Sequence, residues 1–337
     1  MTGWSIIARV TDGGPSAYIP EMRAMTSSSD NAETAAPDLT RHEAGQLMRW
    51  ATYASVATAF VLIAAKVFAY LLTDSVSLLS TLLDSLLDAA ASLINLLAVR
   101  HALTPADREH RFGHGKAEPL AALGQSTFIA GSAAFLIVQA ANRLLSPHPV
   151  TNTAIGLGVM AFSIAATLLL VMFQRFVIRR TGSLAIKADS LHYASDLIVN
   201  ASVVVALILV AVYGWQRVDP VFGGGIALYI IYTAWQIARS ALDMLMDREL
   251  PDEERKRIRT IALANSNVRA VHDLRTRAAG QTVFMQMHLE VDGKLTLAEA
   301  HTIADAVEEQ IHAAYPGAEI IIHEDPAGIV EARPVYR

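Results

Sequence analysis

The sequence predicts a polytopic α-helical membrane protein, with six transmembrane helices followed by a small cytoplasmic α+β domain of order α-β-β-α-β. Three observations carry this. Of 337 residues 53% are apolar, and the mean hydropathy of +0.35 lies above the range of soluble domains. The 27 basic and 32 acidic residues are unevenly placed, with 9 before Leu47, 23 from Met48 to Met246 and 27 from Asp247 onward. The charge-poor middle contains six apolar runs of about 20 residues or more, each able to cross ~30 Å of hydrocarbon at ~1.5 Å per residue.

Residues 1–46 read as a disordered tail. They hold Gly13-Gly14-Pro15, Thr26-Ser27-Ser28-Ser29 and scattered acids, with no apolar core of signal-peptide length. Residues 47–246 hold the six runs, near Ala51–Leu72, Val76–Val99, Ala117–Leu144, Thr153–Val177, Ser183–Tyr213 and Val221–Met244. Lipid leaves no partner for a free backbone amide, so these runs must be helices. Arg100, Arg108, Arg111 and Lys116 follow the second run, and Arg175, Arg179, Arg180 and Lys187 surround the gap after the fourth. The loops on the other side offer Arg143 and Arg217, so the positive-inside rule puts both termini in the cytoplasm.

Residues 247–330 form the predicted cytoplasmic domain, with 331–337 as a flexible end. Pro251-Asp252-Glu253-Glu254 starts a helix, its acids favoured by the helix dipole. Val268–Arg277 and Thr282–Val291 read as strands joined by a turn across Ala278-Ala279-Gly280. Leu297–Ala314 has helical periodicity, and Ala318–His323 contains a β-branched Ile run. This order fits a three-stranded sheet with both helices on one face.

Composition excludes several functions. A net charge of −5 gives no basic footprint for nucleic acid. The absence of cysteine removes disulfides, iron–sulfur clusters and thiolate sites, so a transition metal here must be held by imidazole and carboxylate. No phosphate-cradling Gly loop, HExxH or GxSxG is present, so the chain reads as a non-enzyme.

Asp84 and Asp88 lie four apart in the second run and share one helical face, continued by Ser77, Thr81, Ser92 and Asn95. Carboxylates at that depth are costly without a compensating cation or proton. His192 and Asp196 repeat the spacing in the fifth run, with Asp189 one turn before and Asn200 one turn after. Together the two pairs offer one nitrogen and three oxygen donors, which suits a tetrahedral divalent ion such as Zn²⁺. Asp107, His110 and His114 sit in the loop after the second run, and read either as an open metal site or as a solvated charged loop. The tail holds five of the 11 histidines; His272, His288 and His323 fall on predicted strands, His301 on the second helix, and Asp325 shares a strand face with His323. Lys66, inside the first run, is assigned no role from the sequence; snorkelling to an interface is one reading of it.

The stretches Ser75 to Asp88, Arg111-Phe112-Gly113-His114-Gly115-Lys116-Ala117-Glu118 and Lys187 to Asp196 resemble the cation diffusion facilitators. His272-Asp273-Leu274-Arg275-Thr276-Arg277 and Ile322-His323-Glu324-Asp325-Pro326 resemble the bacterial branch of that family, the match running from about Arg49 to Ile329. The resemblance implies a homodimeric metal/proton antiporter of the bacterial inner membrane that exports Zn²⁺ and Cd²⁺, with Fe²⁺ as a further candidate. It implies that Asp84, Asp88, His192 and Asp196 form the transport site and Asp107, His110 and His114 a loop site. His272, His288, His301, His323 and Asp325 would form a two-metal site binding structural or regulatory Zn²⁺ in a dimerising, metallochaperone-like tail, and Lys116 and Asp247 would form a charge interlock at the dimer's hinge. Glu324 departs from the Gln of the family pattern. The rival reading is a membrane-anchored metal sensor or scaffold that transports nothing; ligands at mid-bilayer argue against it.

Overall fold

The computed structural model describes residues 40–73, 76–145, 154–213 and 218–329. Residues 1–39 of the expected 1–46 tail, and the expected end 331–337, lie outside them. Six long helices come first: α1 (Arg41–Thr73), α2 (Val76–Ala102), α3 (Ala117–Leu145), α4 (Ala154–Thr181), α5 (Leu184–Tyr213) and α6 (Val218–Leu245). Helix α1 begins six residues before the expected boundary at 47. The reason is a capping box: the Glu43 amide donates to Thr40 Oγ1 at 3.3 Å, and the Thr40 amide donates to Glu43 Oε2 at 2.8 Å.

Among the described residues, four helices are long and apolar enough to cross a membrane, over His42–Leu72, Ala117–Asn142, Gly158–Thr181 and Val221–Leu245. The other two long helices, α2 and α5, carry Asp84 and Asp88, and Asp189 and Asp196, respectively. The bundle buries small residues where helices meet, among them Ala51, Ala59, Ala122, Ala133, Ala185, Ala188, Ala227 and Ala234, while Phe60, Phe68, Phe135, Leu169 and Trp235 point outward. Lipid supplies no hydrophobic drive between helices, so close backbone approach through alanine does the packing and large apolar groups face the acyl chains. Helix α1 packs on α2 and α4, α5 on α3, α4 and α6, and α3 on α6.

The tail follows the predicted order: α7 (Asp252–Leu263), β1 (Ala270–Ala279), β2 (Thr282–Val291), α8 (Leu297–Ala314) and β3 (Glu319–Pro326). The sheet order is β1-β2-β3, with β1 and β2 antiparallel and β2 and β3 parallel. Strand β1 extends through Ala279, two residues past the expected end, so the turn is carried by Gly280 at φ +59° and Gln281. Helices α7 and α8 pack on each other and on β1 and β3, respectively, forming one layer. Met285, Met287, Leu289 and Val291, the odd positions of β2, enter the core with Ile258, Val307 and Ile311. The even positions, including His288 and Glu290, therefore project from the helix-free face.

Candidate metal centre

Within the helical bundle, α2 and α5 bring Asp88, His192 and Asp196 together, one ligating atom of each lying within 4.8 Å of the others. His192 Nε2 is 3.0 Å from Asp88 Oδ1 and 3.8 Å from Asp196 Oδ2. His192 is buried, with Phe128 edge-on at 5.8 Å. Asp84 lies on α2 one turn before Asp88; its side chain falls outside the described residues, as do those of Ser77 and Thr81.

The register of α5 is held from behind. Asp189, fully buried one turn before His192, accepts hydrogen bonds from Gln125 Nε2 of α3 at 3.1 Å and Gln174 Nε2 of α4 at 2.7 Å. Tyr193, next to His192, has its hydroxyl 2.8 Å from Ser92 Oγ of α2 and also reaches the Ser55 carbonyl of α1 at 3.4 Å. Four neighbouring helices thus fix the face that α5 presents, which is the preorganisation that ligands need. Gln125 and Gln174 escape a reading of sequence alone, because no spacing links them to Asp189 before the helices are packed.

The loop between α2 and α3 gathers Asp107, His110 and His114. Asp107 Oδ1 accepts from the His110 and Glu109 amides at 2.6 and 2.9 Å, which closes the loop on itself. The His110 amide, with the Glu109 amide and the two imidazoles as lesser contributions, outweighs partial desolvation and holds the Asp107 carboxyl below its ordinary value. His110 Nδ1 and His114 Nε2 each lie 3.4 Å from that carboxylate. His114 Nδ1 faces the Thr104 carbonyl at 3.4 Å, which orients Nε2 toward Asp107. His101, at the end of α2, adds an edge-on ring 4.5 Å from His114.

The tail cluster is a product of register. His272 of β1 pairs with His288 of β2, which pairs with His323 of β3, so three imidazoles stand in one row across the sheet. Asp325, two residues beyond His323 and buried, lies 2.8 Å from His288 Nδ1 and 3.2 Å from both His272 Nε2 and His323 Nε2. A ligating atom of each of His272, His288 and Asp325 lies within 4.8 Å of the others. Two acids join that sequence reasoning missed. Glu290 sits 3.2 Å from His272 Nδ1. Asp273, at φ +46° in the β1 bulge, brings its carboxylate to 3.9 Å from His288 Nε2; the i,i+2 rule fails at a bulge. His301 stands apart, 69% exposed, with Nε2 3.6 Å from Asp305 and Nδ1 3.8 Å from Glu324.

Lys116 Nζ is 3.0 Å from the Asp247 carboxylate, which Arg277 also approaches at 3.4 Å. The expected interlock pair therefore meets within one chain, where the membrane helices join the tail.

A bundle of long helices, four of them among the described residues apolar enough to cross a membrane, with two carboxylates and an imidazole converging within it and an α+β unit following it, has the architecture of an integral membrane protein that handles cations. The cation efflux transmembrane domain matches residues 52–246, and the cation efflux protein cytoplasmic domain matches residues 250–327. The chain belongs to the cation efflux family. A cation-efflux pump FieF of Klebsiella pneumoniae is 50% identical over 288 residues, 86% of this chain and 96% of its own, and one from Salmonella choleraesuis is 48% identical over 286 residues, 85% and 95%. Among solved structures, a putative zinc transporter CzrB in its zinc form is 38% identical, covering 26% of this chain and 99% of its own with a TM-score of 0.24.

Proposed function

We propose that the chain exports divalent metal ions, Zn²⁺ and Cd²⁺ with Fe²⁺ as a further substrate, from the cytoplasm across the inner membrane in exchange for protons. The convergence of Asp88, His192 and Asp196 from two helices carries the reading, with Asp84 as the fourth ligand. A hard-to-borderline divalent ion takes such a nitrogen and oxygen set readily. Ligation needs neutral imidazole and ionised carboxylate, so metal and proton compete for the same atoms, and that competition couples their movements. Facing the cytoplasm the site loses protons and binds metal; facing a more acidic outside it takes protons and releases metal. Each inward proton contributes about 1.4 kcal/mol per pH unit and about 2.3 kcal/mol per 100 mV.

The tail, with both chain termini, lies in the cytoplasm in this reading. Its histidine row binds metal that stays with the protein and stabilises a homodimer, and the loop cluster is a further binding point. The reading divides the chain into a membrane unit over 47–246 and a tail unit over 247–330.

The test is metal-driven proton flux in proteoliposomes carrying a pH-sensitive dye. Zn²⁺ moves protons through the wild type, Asp88→Ala brings the flux to the level of empty liposomes, and His323→Ala with Asp325→Ala retains part of it. Wild-type flux in Asp88→Ala would make the membrane acids structural and overturn the reading.

A further inference from the structure

We propose that Lys66 is a resident counter-cation of the transport site, completing the charge balance of its metal-loaded state. The inference rests on the site reading above. Between Arg49 and Thr73 of α1 no other charged residue occurs, and an ammonium placed among apolar helices is costly unless a polar partner faces it. Lys66 does not reach for the interface. It lies seven residues, about 10 Å, before the end of α1, yet its Nζ donates to Ser85 Oγ at 2.6 Å. Ser85 is itself buried, about 14 Å into α2 from Val76. The side chain therefore crosses to α2 at depth, against the snorkelling reading.

The Ser85 hydroxyl accepts a hydrogen bond and cannot balance a charge. It does fix where the charge sits: on the turn of α2 that bears Asp84 and leads to Asp88, whose Oδ1 is 3.0 Å from His192 Nε2. Formal charges then close over the proposed ligands, with Asp189 behind them engaged by Gln125 and Gln174 and left out of the count. Three ligand carboxylates, Asp84, Asp88 and Asp196, against one divalent ion and a neutral His192 leave one negative charge. Lys66 cancels it, so ligands, ion and ammonium sum to zero, which lowers the penalty of holding them in a low-dielectric bundle. With the ion gone, the fixed ammonium still offsets one carboxylate and repels a second cation.

The experiment uses the full-length protein with Asp107→Ala and Asp325→Ala, so that binding reports the membrane site, and Cd²⁺ alone as probe. In Lys66→Met the site loses a repelling charge: Cd²⁺ binds at least tenfold more tightly, and turnover in proteoliposomes falls at least tenfold. Lys66→Arg restores both toward the background protein, and Ser85→Ala, which frees the ammonium from its anchor, falls between. Unchanged affinity in Lys66→Met overturns the proposal, as does weakened affinity, and as does failure of Lys66→Arg to restore either quantity, since a packing role predicts those results. Asp88→Ala in the same background separates the two claims. If it binds Cd²⁺ undiminished, the site reading itself has failed; if it loses binding while Lys66→Met is silent, only the counter-cation role has.

Discussion

At Glu118 one side chain satisfies the start of another helix. Its Oε1 accepts from the Leu184 amide at 2.7 Å and the Ala185 amide at 3.4 Å, while Ser183 Oγ takes the Ile186 amide at 3.2 Å. The first three amides of α5 are thus partnered, two of them by a residue of α3, and Glu118 is only 2% exposed. Water cannot replace it. Glu118→Ala leaves two buried donors unpaired, at about 1–3 kcal/mol each, and allows the helix that carries His192 and Asp196 to shift. We expect a clear drop in the thermal midpoint of the detergent-solubilised protein and slower metal flux, with Glu118→Gln, which keeps an acceptor oxygen, recovering most of the midpoint. An unchanged midpoint in Glu118→Ala would show that the α5 amides find other acceptors.

Among the elements, α8 starts with a complete capping box. The Glu299 amide donates to Thr296 Oγ1 at 3.3 Å and the Thr296 amide to Glu299 Oε2 at 2.8 Å. The Thr296 amide, then its hydroxyl, holds the Glu299 carboxyl below its ordinary 4.5. A depressed carboxylate contributes stability above its unfolded value and loses it as pH falls through the folded one, so the cap is intact at neutral pH and fails only below the ordinary Glu range. Thr296→Ala removes it at every pH, costing about 1 kcal/mol. Amide hydrogen exchange over Leu297–Ala300 in the full-length protein checks this. The wild type loses protection there only in acid, the variant exchanges faster at pH 7, and equal exchange in both would deny the cap a role. Elements of this kind are legible in advance because their signals are local: apolar length names the membrane helices, and Asp-x-x-x-Asp and His-x-x-x-Asp name a shared helical face. What stayed hidden depends on packing or on one backbone angle. Gln125 and Gln174 reach Asp189 only across helix contacts, Asp273 turns toward His288 only through a bulge, and Lys66 finds Ser85 on another helix. His301 lies on helix α8, as its periodicity predicts, and the fold sets it beside Glu324.

At the scale of the whole molecule, the membrane unit and the tail touch backbone to backbone. A Cβ at Gly115 would lie 2.2 Å from the Ala279 carbonyl oxygen and 2.6 Å from its carbon, so only glycine admits the β1–β2 turn against the start of α3. Around this point Phe112 meets Phe284 at 5.9 Å, and Arg277 lies over both rings. Lys116 holds Asp247 a residue away. The joint therefore links three things along continuous chain: the loop with His110 and His114, strands β1 and β2 with His272 and His288, and Glu118 with the first turn of α5. Under the proposed function, metal held by the tail would act on α5 through this joint, with no contact between the sites themselves. Gly115→Ala pushes a methyl group into backbone that cannot swing aside, at about 1–3 kcal/mol, and should part the joint while leaving the clusters of the helical bundle and of the tail sheet whole. We expect faster hydrogen exchange over 278–282. In proteoliposomes, the flux ratio between an intact tail and one carrying His272→Ala and Asp325→Ala should fall toward one, because the tail no longer reaches α5. If exchange at the turn rises and the ratio does not move, the joint is structural and the tail acts on transport through the dimer instead.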